Sequence, residues 1–170
     1  MFARFVSLMT LVILGAGAGL ATPYQAHADP VVVGEEHCVV NIPTNDVLNM
    51  RNQPNSYSPI VAQKPYASCG ITITAECYGN WCPAEDGHSG GWMHRRYLAM
   101  VSPALYCVSG VAPNDVLNVR AFPSSQSQIR VQLPPNLCDI AFLPYRVGNW
   151  QKIRVAGWEG WASLTYLSGQ

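Results

Sequence analysis

The sequence predicts an all-β chain made of two tandem copies of one small barrel, each locked by disulfides. Three observations predict it. The chain repeats itself at an offset of 69 residues, its six cysteines fall into pairs under that repeat, and its apolar runs are short, alternating and broken by turn residues, with no convincing helical period.

The repeat comes first because the rest follows from it. At the 69-residue offset, Asn45-Asp46-Val47-Leu48-Asn49 and Arg51 fall on Asn114-Asp115-Val116-Leu117-Asn118 and Arg120. Gly79-Asn80-Trp81 falls on Gly148-Asn149-Trp150, Gly91-Trp92 on Gly160-Trp161, and Tyr97-Leu98 on Tyr166-Leu167. No gap is needed between residues 38 and 100, and 23 of those 63 positions are identical, far above chance.

The same alignment assigns the cysteines. Cys38 falls on Cys107 and Cys69 on Cys138, so the expected bridges are Cys38–Cys69 and Cys107–Cys138. Cys77 and Cys82 face Arg146 and Gln151 in the second copy and are left to pair with each other. Each long bridge stabilises a barrel of this size, which has little core of its own, by about 3 kcal/mol in the chain-entropy model.

At the N-terminus, Arg4, the apolar run Phe5–Leu20 and Ala26-His27-Ala28 read as a signal peptide spanning residues 1–28. Removing it leaves nine basic and ten acidic residues, a net charge of −1. That balance argues against nucleic acid or an anionic membrane as the general partner, and no later run is apolar enough to span a bilayer. An even cysteine count behind an export signal implies an oxidising compartment, secreted or periplasmic.

Within the second copy, Leu117 and Val119 share one face of a strand over 116–120, and Pro123–Ser127 is a polar loop. Ile129–Leu133 and Cys138–Leu143 are strand-like, and Val147-Gly148-Asn149 marks a hairpin. Trp150–Val155 alternates, with Gln151, Ile153 and Val155 on one face and Trp150, Lys152 and Arg154 on the other. Gly157 turns the chain, and Gly160-Trp161-Ala162 opens a last short strand. The link Val101–Ala104 is too short to let the copies drift apart.

The ordered set Leu-Asn-Val-Arg, a Pro/Ser loop, a Gly-Asn-Trp hairpin, Gly-Trp and Tyr-Leu resembles the bacterial SH3-like (SH3b) domain family, over residues 38–100 and again over 107–169. The resemblance implies a five-stranded, partly open barrel and a non-catalytic role in binding cell-wall components or peptides. The cysteine pairs depart from the family pattern, and no hydrolase domain accompanies the copies. The acidic loop and Ala-Leu-Tyr-Asp-Tyr strand with which eukaryotic relatives grip proline-rich peptides are also missing, so that ligand class is not implied.

For catalysis, Cys–His chemistry needs a free thiolate, and the cysteines pair off; His37, His88 and His94 are the histidines after residue 28. Glu85 and Asp86 are neighbours that a strand would point to opposite faces. Asp86, His88 and His94 could converge on a metal across the Ser89-Gly90-Gly91 turn, but the spacing is poor and the second copy lacks all three. A solvated polar loop fits them better, and neither a metal nor a cofactor is expected.

The aromatics divide. Trp92, Trp161, Tyr97 and Tyr166 are expected to plug the barrels. Trp150 shares its face with Lys152 and Arg154, and with Trp158 it forms the expected ligand surface, extended by Phe122 and by Tyr57 in the polar loops. The plainer account is that lysine and arginine stems merely cover an exposed indole. The second copy carries a net +2, which fits an anionic envelope ligand, while Arg51 and Arg120 are expected to pair with Asp46 and Asp115. Two function classes result: a binding module for peptidoglycan or another envelope polymer or peptide, and a protein–protein adaptor or inhibitor acting on another exported protein. A small hydrolase ranks behind both.

Overall fold

The computed structural model describes residues 31–169; residues 1–28, expected to form a signal peptide, lie outside the described residues. The architecture is all-β, without an α-helix among the described residues. In the first repeat the strands are β1 (Glu36–Val39), β2 (Val47–Arg51), β3 (Ile60–Pro65), β4 (Ile71–Ile73), β5 (Trp81–Glu85), β6 (Gly90–His94) and β7 (Leu98–Met100). In the second they are β8 (Tyr106–Val108), β9 (Leu117–Arg120), β10 (Ile129–Leu133), β11 (Ala141–Val147), β12 (Trp150–Val155), β13 (Trp158–Ser163) and β14 (Leu167–Gly169). A single 3₁₀ turn precedes β7 and another precedes β14.

The expected barrels do not close. The first repeat forms one antiparallel sheet ordered β3-β2-β6-β5-β4-β1-β7, and the second forms a five-stranded sheet β10-β9-β13-β12-β11 plus a separate β8–β14 ladder. The last strand of each repeat pairs with the first, β7 with β1 and β14 with β8, but among the described residues no ladder joins the outer strands, so the first sheet ends in β3 and β7 and the second in β10 and β11. The β8–β14 ladder reaches the five-stranded sheet through the lone bridge Tyr106–Ile140. Gln63, Lys64 and Pro65 on β3, and Arg130 and Gln132 on β10, are residues that discourage further strand pairing at such edges.

All three bridges form as the repeat requires: Cys38–Cys69, Cys77–Cys82 and Cys107–Cys138. The two long ones span the same separation, 31 residues, which in the chain-entropy model is worth about 3–4 kcal/mol each. The third bridge has an unlike counterpart. Where Cys82 is buried and bridged in the first repeat, Gln151 is buried in the second and its amide donates to the carbonyls of Leu143 at 2.6 Å and Tyr145 at 3.2 Å. Those carbonyls lie where the β11–β12 register shifts, so the glutamine satisfies acceptors the ladder leaves unpaired.

The interior is aliphatic, not aromatic. Val39, Met50, Ile71, Ile73, Met93 and Leu98 fill the first core, and Val108, Val119, Ile140, Ile153 and Ala162 fill the second. Trp92 and Trp161 do not plug these cores, because their neighbours take the inward positions. A Cβ on Gly91 would lie 2.6 Å from the Arg51 carbonyl, and one on Gly160 would lie 2.6 Å from Val119 and 2.7 Å from the Arg120 carbonyl. Each Gly-Trp pair therefore brings a backbone close to β2 or β9 and turns its indole to the outer face. Tyr97 rests its flank on the first core, while Tyr166 is 40% exposed.

A third core joins the repeats. Cys38, Val40, Ala99 and Val101 pack against Ala141, Leu143 and Tyr145, with Tyr66 and Trp161 at its margin. The Tyr145 hydroxyl donates to the Val39 carbonyl at 2.8 Å, and Tyr66 meets the Tyr145 ring edge-on at 5.7 Å. At the rim, two Arg154 nitrogens reach the two Glu36 carboxylate oxygens at 2.7 and 3.0 Å, and Arg154 also pairs with Glu159 at 2.8 Å. Beside Glu36, His37 is wholly buried; its Nδ1 donates to the Glu35 carbonyl and its Nε2 accepts from the Val32 amide.

Two measurements test this account. Gly160→Ala should cost about 2–3 kcal/mol in urea unfolding, because β9 must shift, whereas Gly90→Ala, with 4.0 Å of clearance, should change stability by less than about 0.5 kcal/mol. Stability should also fall with acid in two stages. Burial lowers the His37 pKa from its ordinary 6.5, so below that pH the unfolded chain takes up a proton the native ring resists. The Arg154 hydrogen bonds hold the Glu36 carboxyl below its usual 4.5, and Lys64 with two turn amides does the same for Asp86. Stability is lost again as those carboxylates are protonated. Urea midpoints between pH 7.5 and 3 should show both limbs, with His37→Gln flattening the upper one and Glu36→Gln reducing the lower.

Candidate functional site

The alternation of β2 and β9 places Leu48, Met50, Leu117 and Val119 inward, leaving Asn49, Arg51, Asn118 and Arg120 on the outer face. Gln63 lies opposite Asn49 and Gln132 opposite Asn118, and each glutamine amide donates to its asparagine, at 2.9 and 3.0 Å. Arg51 and Arg120 do not pair with Asp46 and Asp115. Each guanidinium donates instead to a carbonyl seven residues on, Ser58 at 2.7 Å and Ser127 at 2.6 Å. The hydroxyls of those serines accept from Gln53 and Phe122 amides, both at 2.8 Å. The polar loop of each repeat is thus closed by the same two contacts. The aspartates instead each accept from the next residue's amide, Val47 at 2.7 Å and Val116 at 2.8 Å, and stay exposed.

This outer face becomes a groove in each repeat. The first, about 410 Å³, lies between β2, the loop before it, Trp81 and Tyr97; the second, about 440 Å³, lies between β9, Trp150 and Tyr166. The twelve residues lining the first groove map one to one, at the 69-residue offset, onto the twelve lining the second. Eight of the twelve pairs are identical: Asp46, Val47, Leu48, Asn49, Arg51, Ser56, Trp81 and Tyr97 with Asp115, Val116, Leu117, Asn118, Arg120, Ser125, Trp150 and Tyr166. Identity in the grooves is two-thirds, against 23 of 63 across the repeat, so the shared residues concentrate along this face of each unit.

The grooves differ at one chemically informative position. In the first, the His94 ring lies 5.4 Å from both Trp81 and Tyr97, and its Nδ1 accepts from the Arg96 amide. Burial and the nearby Arg96 charge push its pKa below the ordinary value, favouring the uncharged ring in this aromatic row. In the second, Ser163 replaces it, and the Asn149 amide bridges the hydroxyls of Ser163 at 3.0 Å and Thr165 at 2.8 Å. Both grooves offer an indole and a phenol edge for stacking, an exposed carboxylate at one side and a guanidinium anchored through one nitrogen.

The five residues expected to form one ligand surface are separated. Trp150 lines the second groove. Arg154 and Trp158 border a different, shallow groove of about 630 Å³ with Arg130 and Glu159, and Arg154 is already held by Glu36 and Glu159. Lys152 sits 3.6 Å from Glu159 with its ammonium 5.2 Å from the Tyr145 ring centroid, beside the junction. Phe122 stands 70% exposed on its loop, and Tyr57 is 96% exposed. Sequence reasoning had the common strand face right but missed Asp46, Asp115, Tyr97 and Tyr166 as groove residues. The signal that finds them is identity between the repeats at polar, non-core positions.

The six cysteines are all bridged, so no thiol is free as a nucleophile. In the polar loop expected at Asp86–Gly91, Asp86 is bonded to Lys64 and to the His88 and Ser89 amides, while His94 lies in the aromatic row beside Trp81.

No protein-family model matches the chain, and no curated protein matches it. Among solved structures, the chain is similar to NlpC2 and NlpC1 from Trichomonas vaginalis, each at 13% identity and a TM-score of 0.38, over 81% and 84% of this chain. It spans about half the length of those proteins, 49% of each.

Proposed function

We propose that this chain is an exported, non-catalytic binding protein built from two SH3-like (SH3b) domains, residues 38–100 and 107–169, that holds a cell-wall polymer or peptide in its paired grooves. The observation that carries the reading is the duplicated groove. Core positions recur between copies because packing demands it, and Arg51 and Arg120 also recur to close their loops, but the exposed Asp46 and Asp115 and the half-buried indoles Trp81 and Trp150 lie outside both cores and recur in the same groove. An indole with a phenol stacks on a sugar ring or peptide plane, while the carboxylate and guanidinium meet an amine and a carboxylate. Peptidoglycan presents all of these groups. Three disulfides support a secreted or periplasmic setting, in line with a leader at residues 1–28.

A second reading, an adaptor or inhibitor of another exported protein, draws on the shallow groove where Trp158 is 51% and Ile129 41% exposed beside Arg130.

Retention on purified cell wall separates them. Trp81→Ala/Trp150→Ala should lower retention at least tenfold, the equivalent of about 1.4 kcal/mol, with the circular dichroism spectrum unchanged, and Trp158→Ala should leave it intact. Equal retention by the double groove variant sinks the wall-binding reading of the grooves.

A further inference from the structure

Resting on that reading, we propose that the two grooves engage one ligand jointly, and that this ligand is a polymer presenting the same recognition unit repeatedly, one unit to each groove. Two observations carry this. The grooves share eight of their twelve lining residues, the indole, phenol, carboxylate and guanidinium among them, so they offer the same groups to the same unit. They are also held at a set separation. The link between repeats is no free tether: Val101 is buried, and Ser102 donates to the Phe142 carbonyl at 3.0 Å while its hydroxyl accepts from the Phe142 amide at 2.7 Å. Leu143 is wholly buried in the shared core, and the Tyr145–Val39 bond and the two-point Glu36–Arg154 pair close its two sides.

A ligand with one recognition unit gains nothing from this arrangement beyond a second independent site. A repeating polymer gains a second contact whose effective concentration is set by the fixed geometry, which strengthens binding by about 10²–10⁴ when both grooves can be filled together. Duplication in register, followed by burial of the link, is the arrangement that exploits such a ligand.

The test uses the purified protein and two probes, intact peptidoglycan sacculi and the soluble monomeric disaccharide-peptide released from them. Two equal sites are expected for the monomer, reduced to one by either Trp81→Ala or Trp150→Ala with the remaining affinity unchanged. On sacculi, either single variant should lose about 100-fold or more in affinity. Glu36→Gln/Tyr145→Phe, which loosens the junction away from both grooves, should weaken sacculus binding about tenfold or more and leave the monomer titration as it was. Circular dichroism and melting controls accompany each variant, and tryptophan-to-phenylalanine versions replace any alanine variant that melts early. Single variants that keep wild-type sacculus affinity at half the capacity overturn joint binding while the groove reading stands. Unchanged binding of both probes by the double variant overturns the groove reading itself, and capture of an exported protein with neither probe bound overturns both.

Discussion

A β unit of some sixty residues encloses too little interior to hold itself by burial alone. In this chain each repeat meets that constraint with a cystine between the start of the repeat and a point 31 residues later. The bridge ties β1, and in the second repeat β8, to the chain that leads into the next sheet strand. Once the first strand is pinned, the last strand can pair with it, as β7 and β14 do. That pairing brings Cys38, Ala99 and Val101 to the surface that the second repeat covers.

The covered surface converts two small units into one body. Leu143 and Tyr145 are buried by the contact, each worth about 1.5–3 kcal/mol of apolar burial, a large share of the stability of either half. The polar groups at the junction are matched and not merely present: a phenol on a strand carbonyl and a guanidinium on two carboxylates. Such matching is what burial of polar groups requires. It also explains why Lys152 and Arg154, side chains that look available for an anionic ligand, serve the junction instead.

Sites and scaffold are therefore assigned to different faces of the same strands. Gly91 and Gly160 allow the close approach of β6 to β2 and β13 to β9, and the contacts of Arg51 and Arg120 with the loop carbonyls fix the wall of each groove. The replacement of a bridged Cys82 by a buried Gln151 shows the tolerance of this plan. One copy secures its hairpin covalently and the other by amide hydrogen bonds, and the indole of each groove, Trp81 or Trp150, stands in the same place.

The sequence by itself determined what is periodic or paired: the all-β class, the 69-residue duplication, the three disulfides, and the inward and outward faces of β9 and β12. These are legible because strand alternation and in-register repetition are local or internal signals. Tertiary structure alone decided what depends on backbone acceptors and on surfaces meeting across the chain. Arg51 finds a serine carbonyl, which no side-chain pattern announces, in place of Asp46. Trp92 and Trp161 face outward because glycine and its neighbours claim the interior. Arg154 is drawn to Glu36, 118 residues away, and no spacing rule connects them. The five anticipated ligand residues scattered for the same reason: a shared strand face sets direction, whereas the packing of the other repeat sets which of those side chains still meets solvent.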